Sequence, residues 1–174
     1  MAPRSGAVYA APMLPPDILI RDAEDRDADG LIELIGGCFS EYPGCLMDVD
    51  GELPELRAIA TAFRDWQGRF WVAERAGRVI GCVGFTPGKK PGYAELKKLY
   101  VEKPARTTGL GGTLCTLAED ESRKAGFTRI DLWSDTRFET AHRFYERRGY
   151  VKSPTTRELH DSSNTVEYHF ERAL

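Results

Sequence analysis

The sequence predicts an α/β fold: a single domain on one mixed sheet of about seven strands, with helices on both faces. Three observations lead there. Stretches of strand and helix period follow one another as strand, two helices, three strands, helix, strand, helix, two strands. The three middle strands are joined by short turns, which makes them antiparallel neighbours. A strand–helix–strand unit around residues 93 to 135 requires a parallel pair with a right-handed crossover.

The chain has 174 residues, enough for one domain with a substantial core. Hydrophobic residues make up 41% and charged residues 29%, ordinary values for a globular protein. Lysine and arginine number 24 against 27 aspartates and glutamates, a net charge of −3. That balance offers no global attraction to nucleic acid or an anionic membrane. No apolar run approaches the length of a membrane span. Residues 1–16 carry prolines that interrupt a short Ala/Val stretch, so they read as a flexible arm rather than a signal peptide. Cys38, Cys45, Cys82 and Cys115 form no CxxC pair and have no nearby histidine, which fits reduced cytoplasmic thiols and no metal.

The elements are read in order from residue 17. "DILIRDA" alternates as a first strand, and "EDRDADGLIELIGGCF" spaces Leu31, Leu34, Ile35 and Cys38 at helical intervals. "SEYPGCLMDVDGELP" is an acidic loop without a period. Pro54 opens a helix whose Leu56, Ile59, Ala60 and Phe63 form one apolar face. "RFWVAERAGRVIGCVGF" is a hairpin turning at "AGR", and "YAELKKLYV" is a further strand. A glycine turn and a helix ending near Gly126 follow. "RIDLWSD" is a strand, "RFETAHRFYERRG" a helix closed by Gly149, and two strands form a terminal hairpin.

The turn "RTTGLGGTL", Arg106 to Leu114, places three glycines within four residues where a strand gives way to a helix. Free amides at a helix N-terminus, together with the positive end of its dipole, attract anions. Glycine lets those amides converge and leaves room for close approach. Arg106 adds a charge that can pair with a phosphate. The spacing is neither a Walker loop nor a dinucleotide fingerprint.

"LYVEKPARTTGLGGTL" resembles the acyl-CoA-binding segment of the GNAT N-acetyltransferase superfamily, with Arg106, Gly109 and Gly111 supplying its motif. Downstream, "ETAHRFYERRGYV" resembles that family's second signature, and the element order from residue 17 to the end is similar as well. Two departures stand out: Thr107 where many members have glycine, and Phe138 where many have asparagine. The missing asparagine removes one side-chain contact to the cofactor arm.

The resemblance implies acetyl-CoA as co-substrate and direct transfer to a primary amine, a small molecule first and a protein lysine or N-terminus as a variant. A non-catalytic acyl-CoA-binding or sensory module is the alternative, and a homodimer is left open. The pantetheine is expected along Leu99, Tyr100 and Val101, through their main chain. The pyrophosphate is expected on amides of Arg106, Thr107, Thr108, Gly109, Leu110, Gly111 and Gly112.

Tyr145 matches the tyrosine that often protonates the leaving thiolate; it shares a helical face with Phe138 and Ala141 and also reads as core, but motif position favours the acid role. Glu95 is the candidate base or an exposed strand-end glutamate. It shares a face with Lys97, Leu99 and Val101 if the strand is regular, and a bulge would change that parity. Asp135 and Arg137 stand near the acyl end, either orienting the acceptor or capping the next helix. Cys115 fits the core stripe of Leu110, Leu114 and Leu117. His142 is expected on the helix surface, and His160 and His169 have no visible partner.

Overall fold

The computed structural model describes residues 13–174. Most of the expected N-terminal arm, residues 1–12, lies outside the described residues. Of the remainder, Leu14 packs against the core while Met13 is exposed.

The strands are β1 (Ile18–Asp22), β2 (Arg69–Arg75), β3 (Arg78–Pro87), β4 (Tyr93–Val101), β5 (Arg129–Asp135), β6 (Val151–Glu158) and β7 (Val166–Ala173). The helices are α1 (Ala28–Phe39), α2 (Val49–Glu52), α3 (Ile59–Asp65), α4 (Leu110–Lys124) and α5 (Glu139–Arg147). All strands join one sheet in the order β1-β2-β3-β4-β5-β7-β6. The β2–β3 hairpin turns through Ala76 and Gly77, both at positive φ, as a two-residue turn matching strand twist requires.

Two local expectations need correction. The acidic loop holds one helical turn, α2, capped by Asp48, whose carboxylate accepts the Gly51 amide at 2.9 Å. Four residues are too few to show a period. The helix expected from Pro54 runs as a 3-10 turn to Ala58, which leaves the helical region (φ −150°, ψ 63°) before α3 begins.

Alternate strand residues feed two cores. Trp71, Ala73, Val83, Ala94 and Leu96 pack on one face with Leu110, Leu114, Ala118 and Tyr145 of α4 and α5. Phe70, Val72 and Cys82 pack on the other with α1 and α3 residues Leu31, Ile35, Ile59 and Phe63. Each fully buried leucine or phenylalanine contributes about 1.5–3 kcal/mol.

Two irregularities shape the site. The only parallel pair among the described residues, β4–β5, is held by Tyr93↔Arg129, Ala94↔Ile130 and Glu95↔Asp131, and beyond these the strands part. Strand β4 also carries a bulge: Cys82 faces Tyr100 while Gly84 faces Lys97, so β4 has one extra residue there, and Lys98 sits at φ +54°. The bulge overturns the regular-strand parity. Ala94 and Leu96 face the α4 core before it and Val101 after it, so Glu95 and Lys97 do not share a face with Leu99 and Val101.

Candidate active site

The parting strands and the glycine turn bound two adjoining cavities. The smaller, about 400 Å³, lies against Leu99, Tyr100, Val101, Gly109, Gly111, Gly112 and Phe144. A 3-10 turn over Lys103–Thr108 ends at Gly109, whose φ of +84° suits glycine, and α4 starts at once with no capping side chain on Gly109. The first helical bond is made by Thr113 to the Gly109 carbonyl at 3.1 Å. The amides before it belong to the turn that has no intrahelical acceptor, and Leu110 finds only a 3.4 Å contact with Thr108 Oγ1.

A Cβ on Gly111 would meet Val101 Cγ2 at 3.8 Å and Phe144 Cε2 at 3.9 Å, and one on Gly112 would meet only Arg148 at 3.7 Å. These are ordinary contacts. Packing therefore does not demand glycine at either position, whereas a ligand pressed against the backbone does. The turn fits a phosphate-bearing cofactor on that ground.

Arg106 departs from the expected free charge. Its guanidinium grips Glu41 at 2.8 and 2.6 Å, donates through Nε to the Val101 carbonyl at 2.9 Å, and lies 3.6 Å from Cys38 Sγ. The Glu41 hydrogen bonds hold the Arg106 pKa above its usual range, despite burial, and keep the Glu41 carboxyl below its own. Of the main-chain contacts expected along β4, the Val101 carbonyl is therefore already engaged. Thr107 is exposed in the turn, and Thr108 Oγ1 donates to the Ala105 carbonyl at 2.6 Å.

The larger cavity, about 800 Å³, opens where β4 and β5 diverge, and Glu95, Lys97, Trp133, Asp135, Arg157 and Glu167 line it. Glu95 is buried, 9% exposed, with Lys97 Nζ 2.7 Å from Oε1. Asp135 faces the cavity but uses Oδ1 to accept the Arg137 amide at 2.9 Å. Arg137 itself donates to the Ser163 carbonyl and stands 3.7 Å from Asp135 Oδ2, so it braces the loop before β7 and is not among the cavity-lining residues. Neither residue caps α5, whose N-cap is Phe138.

Leu99, Tyr100, Phe138, Ala141 and Tyr145 line both cavities. The core placement expected of Tyr145 is what the structure shows, and the residue stands at the junction as well. Its ring packs edge-on to Tyr150 (5.5 Å) and Phe144 (5.4 Å) in the core, and the residue lines the junction of the cavities. Burial pushes its phenol well above the usual range, so it keeps its proton at neutral pH.

Sequence reasoning missed Glu167 and Arg157. Burial raises the Glu167 carboxyl above its usual range, and Arg157, with Nε 2.5 Å from Oε2, draws it only part of the way back. Glu167 is the register partner of Asp135 on β7. Its signal was the alternation of charged with aromatic residues in "VEYHFERA", which marks a strand with one polar inner face.

The remaining candidates fall elsewhere. Cys115 is core as expected, its thiol pushed up to about 12 by burial. His142 is half-buried rather than on the surface: it packs on Tyr168 and Phe170 at 5.4 and 5.3 Å, with Nε2 2.9 Å from the Asp135 carbonyl. The aromatic floor beneath α5 explains the difference. His160 is the exception: it is exposed at the lining of the larger cavity, its Nε2 3.9 Å from a Glu158 carboxylate oxygen. His169 does have partners, Asp131 Oδ2 at 3.0 Å and Ser153 Oγ at 2.9 Å. This Ser–His–Asp line ties β5, β7 and β6 together and borders neither of the two cavities. Among the described residues no cluster of three or more histidine, cysteine or acidic groups is placed to hold a metal. No helix among them is long and apolar enough to cross a membrane.

Residues 29–150 match the family model described as the acetyltransferase (GNAT) family. An IAA acetyltransferase of Azospirillum brasilense is 34% identical over 83 residues, 48% of this chain and 54% of that protein. An aminoalkylphosphonate N-acetyltransferase of Salmonella typhimurium is 34% identical over 86 residues, 47% of this chain and 56% of its own length. The chain thus spans about half the length of the curated relatives it matches. Among solved structures, an acetyltransferase from Streptococcus agalactiae superposes with a TM-score of 0.78 at 21% identity, covering 92% of this chain and 100% of that one. The PaiA N-acetyltransferase of Thermoplasma acidophilum, solved with coenzyme A, gives 0.69 at 19% identity, covering 90% and 99%. At these identities the structures support the fold.

Proposed function

The chain belongs to the acetyltransferase (GNAT) family, and from that membership we propose that it transfers acetyl from acetyl-CoA to a small primary amine, with both bound at once. The observation that carries this reading is the junction. A cavity floored by a bare helix N-terminus meets a cavity lined by carboxylates, and Tyr145 lines both.

Acetyl-CoA supplies an activated acyl thioester. The amides of the turn from Arg106 to Gly112 bind its pyrophosphate, and the unpaired edge of β4 beyond Glu95 aligns the pantetheine. The acyl end then lies at the shared wall. An amine enters from the larger cavity, whose lining carries Asp48, Glu52, Glu55 and Asp161 besides the paired Glu95, Asp135 and Glu167, against Lys97, Lys98 and Arg157, and so favours a cationic acceptor. Glu95 takes the ammonium proton through a water, and Lys97 balances its charge. Tyr145, protonated at neutral pH as a phenol is, stands at the junction to donate to the departing thiolate. Holding amine and thioester in adjoining cavities removes much of the entropy cost of their encounter.

A panel of primary amines, read by release of free CoA thiol, tests the proposal. At least one cationic amine is expected to accelerate release over background hydrolysis. Binding of acetyl-CoA with no acceleration by any amine would instead make this an acyl-CoA-binding module.

A further inference from the structure

We propose that Phe138 narrows the junction where the acyl group lies and so disfavours acyl chains longer than acetyl; this rests on the acyltransferase reading above. The reacting carbonyl has to sit where the two cavities meet, since the phosphates are held in one and the amine arrives from the other. The shared lining, Leu99, Tyr100, Phe138, Ala141 and Tyr145, has no charged side chain, so the acyl group is met there by carbon and aromatic rings.

Phe138, like Tyr145, carries a ring braced by its neighbours. Tyr42 lies 4.8 Å from it and Phe39 6.2 Å, and Phe39 in turn lies edge-on to Tyr100 at 5.9 Å. The backbone is fixed on both sides: the Phe138 amide donates to the Asp135 carbonyl at 3.0 Å, and its carbonyl accepts the His142 amide at 3.1 Å. A ring held by neighbours from α1 and the following turn, on a residue tied into the start of α5, cannot swing aside for a longer chain without disturbing both. Removing it widens the junction between Phe39, which lines the larger cavity, and Tyr42, which lines the smaller. Each further methylene buried there is worth about fourfold in affinity.

The test measures dissociation constants of CoA, acetyl-CoA, butyryl-CoA and hexanoyl-CoA by calorimetry, each acyl form taken relative to CoA in the same protein. No acceptor is needed. In the wild type, acetyl-CoA is expected to bind at least as well as CoA, and hexanoyl-CoA about tenfold or more weaker than acetyl-CoA. Phe138→Ala should invert this order in favour of hexanoyl-CoA, and Phe138→Leu should fall between. If Phe138→Ala fails to fold, Phe138→Leu carries the same comparison with the smaller expected change. Acyl profiles that run parallel in wild type and variants, with CoA still bound, overturn the gate alone. A wild type that binds neither CoA nor any acyl-CoA overturns the gate and the acyltransferase reading together.

Discussion

At the scale of single residues, the glycine turn gives the sharpest separation between packing and binding. Val at position 111 would find ordinary contact distances at its Cβ, and helix propensity favours Val over Gly by a few tenths of a kcal/mol. Gly111→Val is therefore expected to fold with a melting temperature close to wild type and to lose the rise that acetyl-CoA brings. A retained rise would remove the turn from the phosphate site. Arg106 poses the opposite problem, a charge already answered by Glu41. An exposed pair of this kind, its side chains 33% and 25% accessible, is worth about 1 kcal/mol or less. Glu41→Gln should free the guanidinium and tighten acetyl-CoA binding by about three- to tenfold at low salt, with the gain fading as salt rises. Unchanged affinity would make Arg106 a strut between Val101 and the loop after α1. For Glu95, exchange to Gln should cost most activity near neutral pH and less as the amine deprotonates unaided at higher pH. A loss constant with pH would assign Glu95 to acceptor binding. Motif residues were readable in the sequence because spacing along one turn or one helix survives folding. Glu41 was not, since its tie to Arg106 joins residues 65 positions apart.

At the scale of elements, most of the order of strands and helices was legible from period and punctuation. What escaped lay below the length of one period: the single turn of α2, the break at Ala58 and the bulge at Lys98. A one-residue insertion changes no composition, yet it turns the side chains beyond it to the opposite face of the sheet. Helix α5 carries a testable consequence of its packing. Burial lowers the His142 pKa, and the hydrogen bond to the Asp135 carbonyl only partly offsets it. The groups bearing on it are Lys152, which disfavours its charge, and Glu146 and Asp135, which favour it. The unfolded chain takes up a proton near pH 6.5 that the folded chain refuses until lower pH, so acid favours unfolding through that interval. Stability should be flat above about pH 6.5 on this account and fall as pH drops below it, by at most about 1.4 kcal/mol per pH unit. Chemical denaturation of wild type and His142→Gln between pH 7.5 and 5 checks this. The variant should show the shallower slope, and equal slopes would refute the buried-neutral state.

At the scale of the whole molecule, the two cavities exist because the parallel pair β4–β5 comes apart within one sheet. The parallel pair itself was foreseeable from the strand–helix–strand unit. The point of parting was not, since it is set by packing on either side of the sheet. The terminal hairpin brings Glu167 beside Asp135 by the same long-range route. Hydrogen exchange offers a check at this scale. Amides of residues 96–101 and of the first turn of α4 should gain protection with acetyl-CoA, while the buried centre of β3 stays unchanged. Protection confined to β1 or β6 would place the ligand elsewhere.

The short β4–β5 pairing has one more implication, for mechanics. Strands β1 to β4 and β5 to β7 form two leaves whose ladder spans three register positions at one end, next to the bonds that Thr128 and Arg129 donate to the Gly92 carbonyl. Such a seam is the zipper from which the sheet would open under load, with Tyr93 to Glu95 as its last closed teeth. A molecule lying along the gap and touching both leaves would act as a rivet. Pulled by its ends in an optical trap, the protein should rupture at a higher force once that rivet is in place.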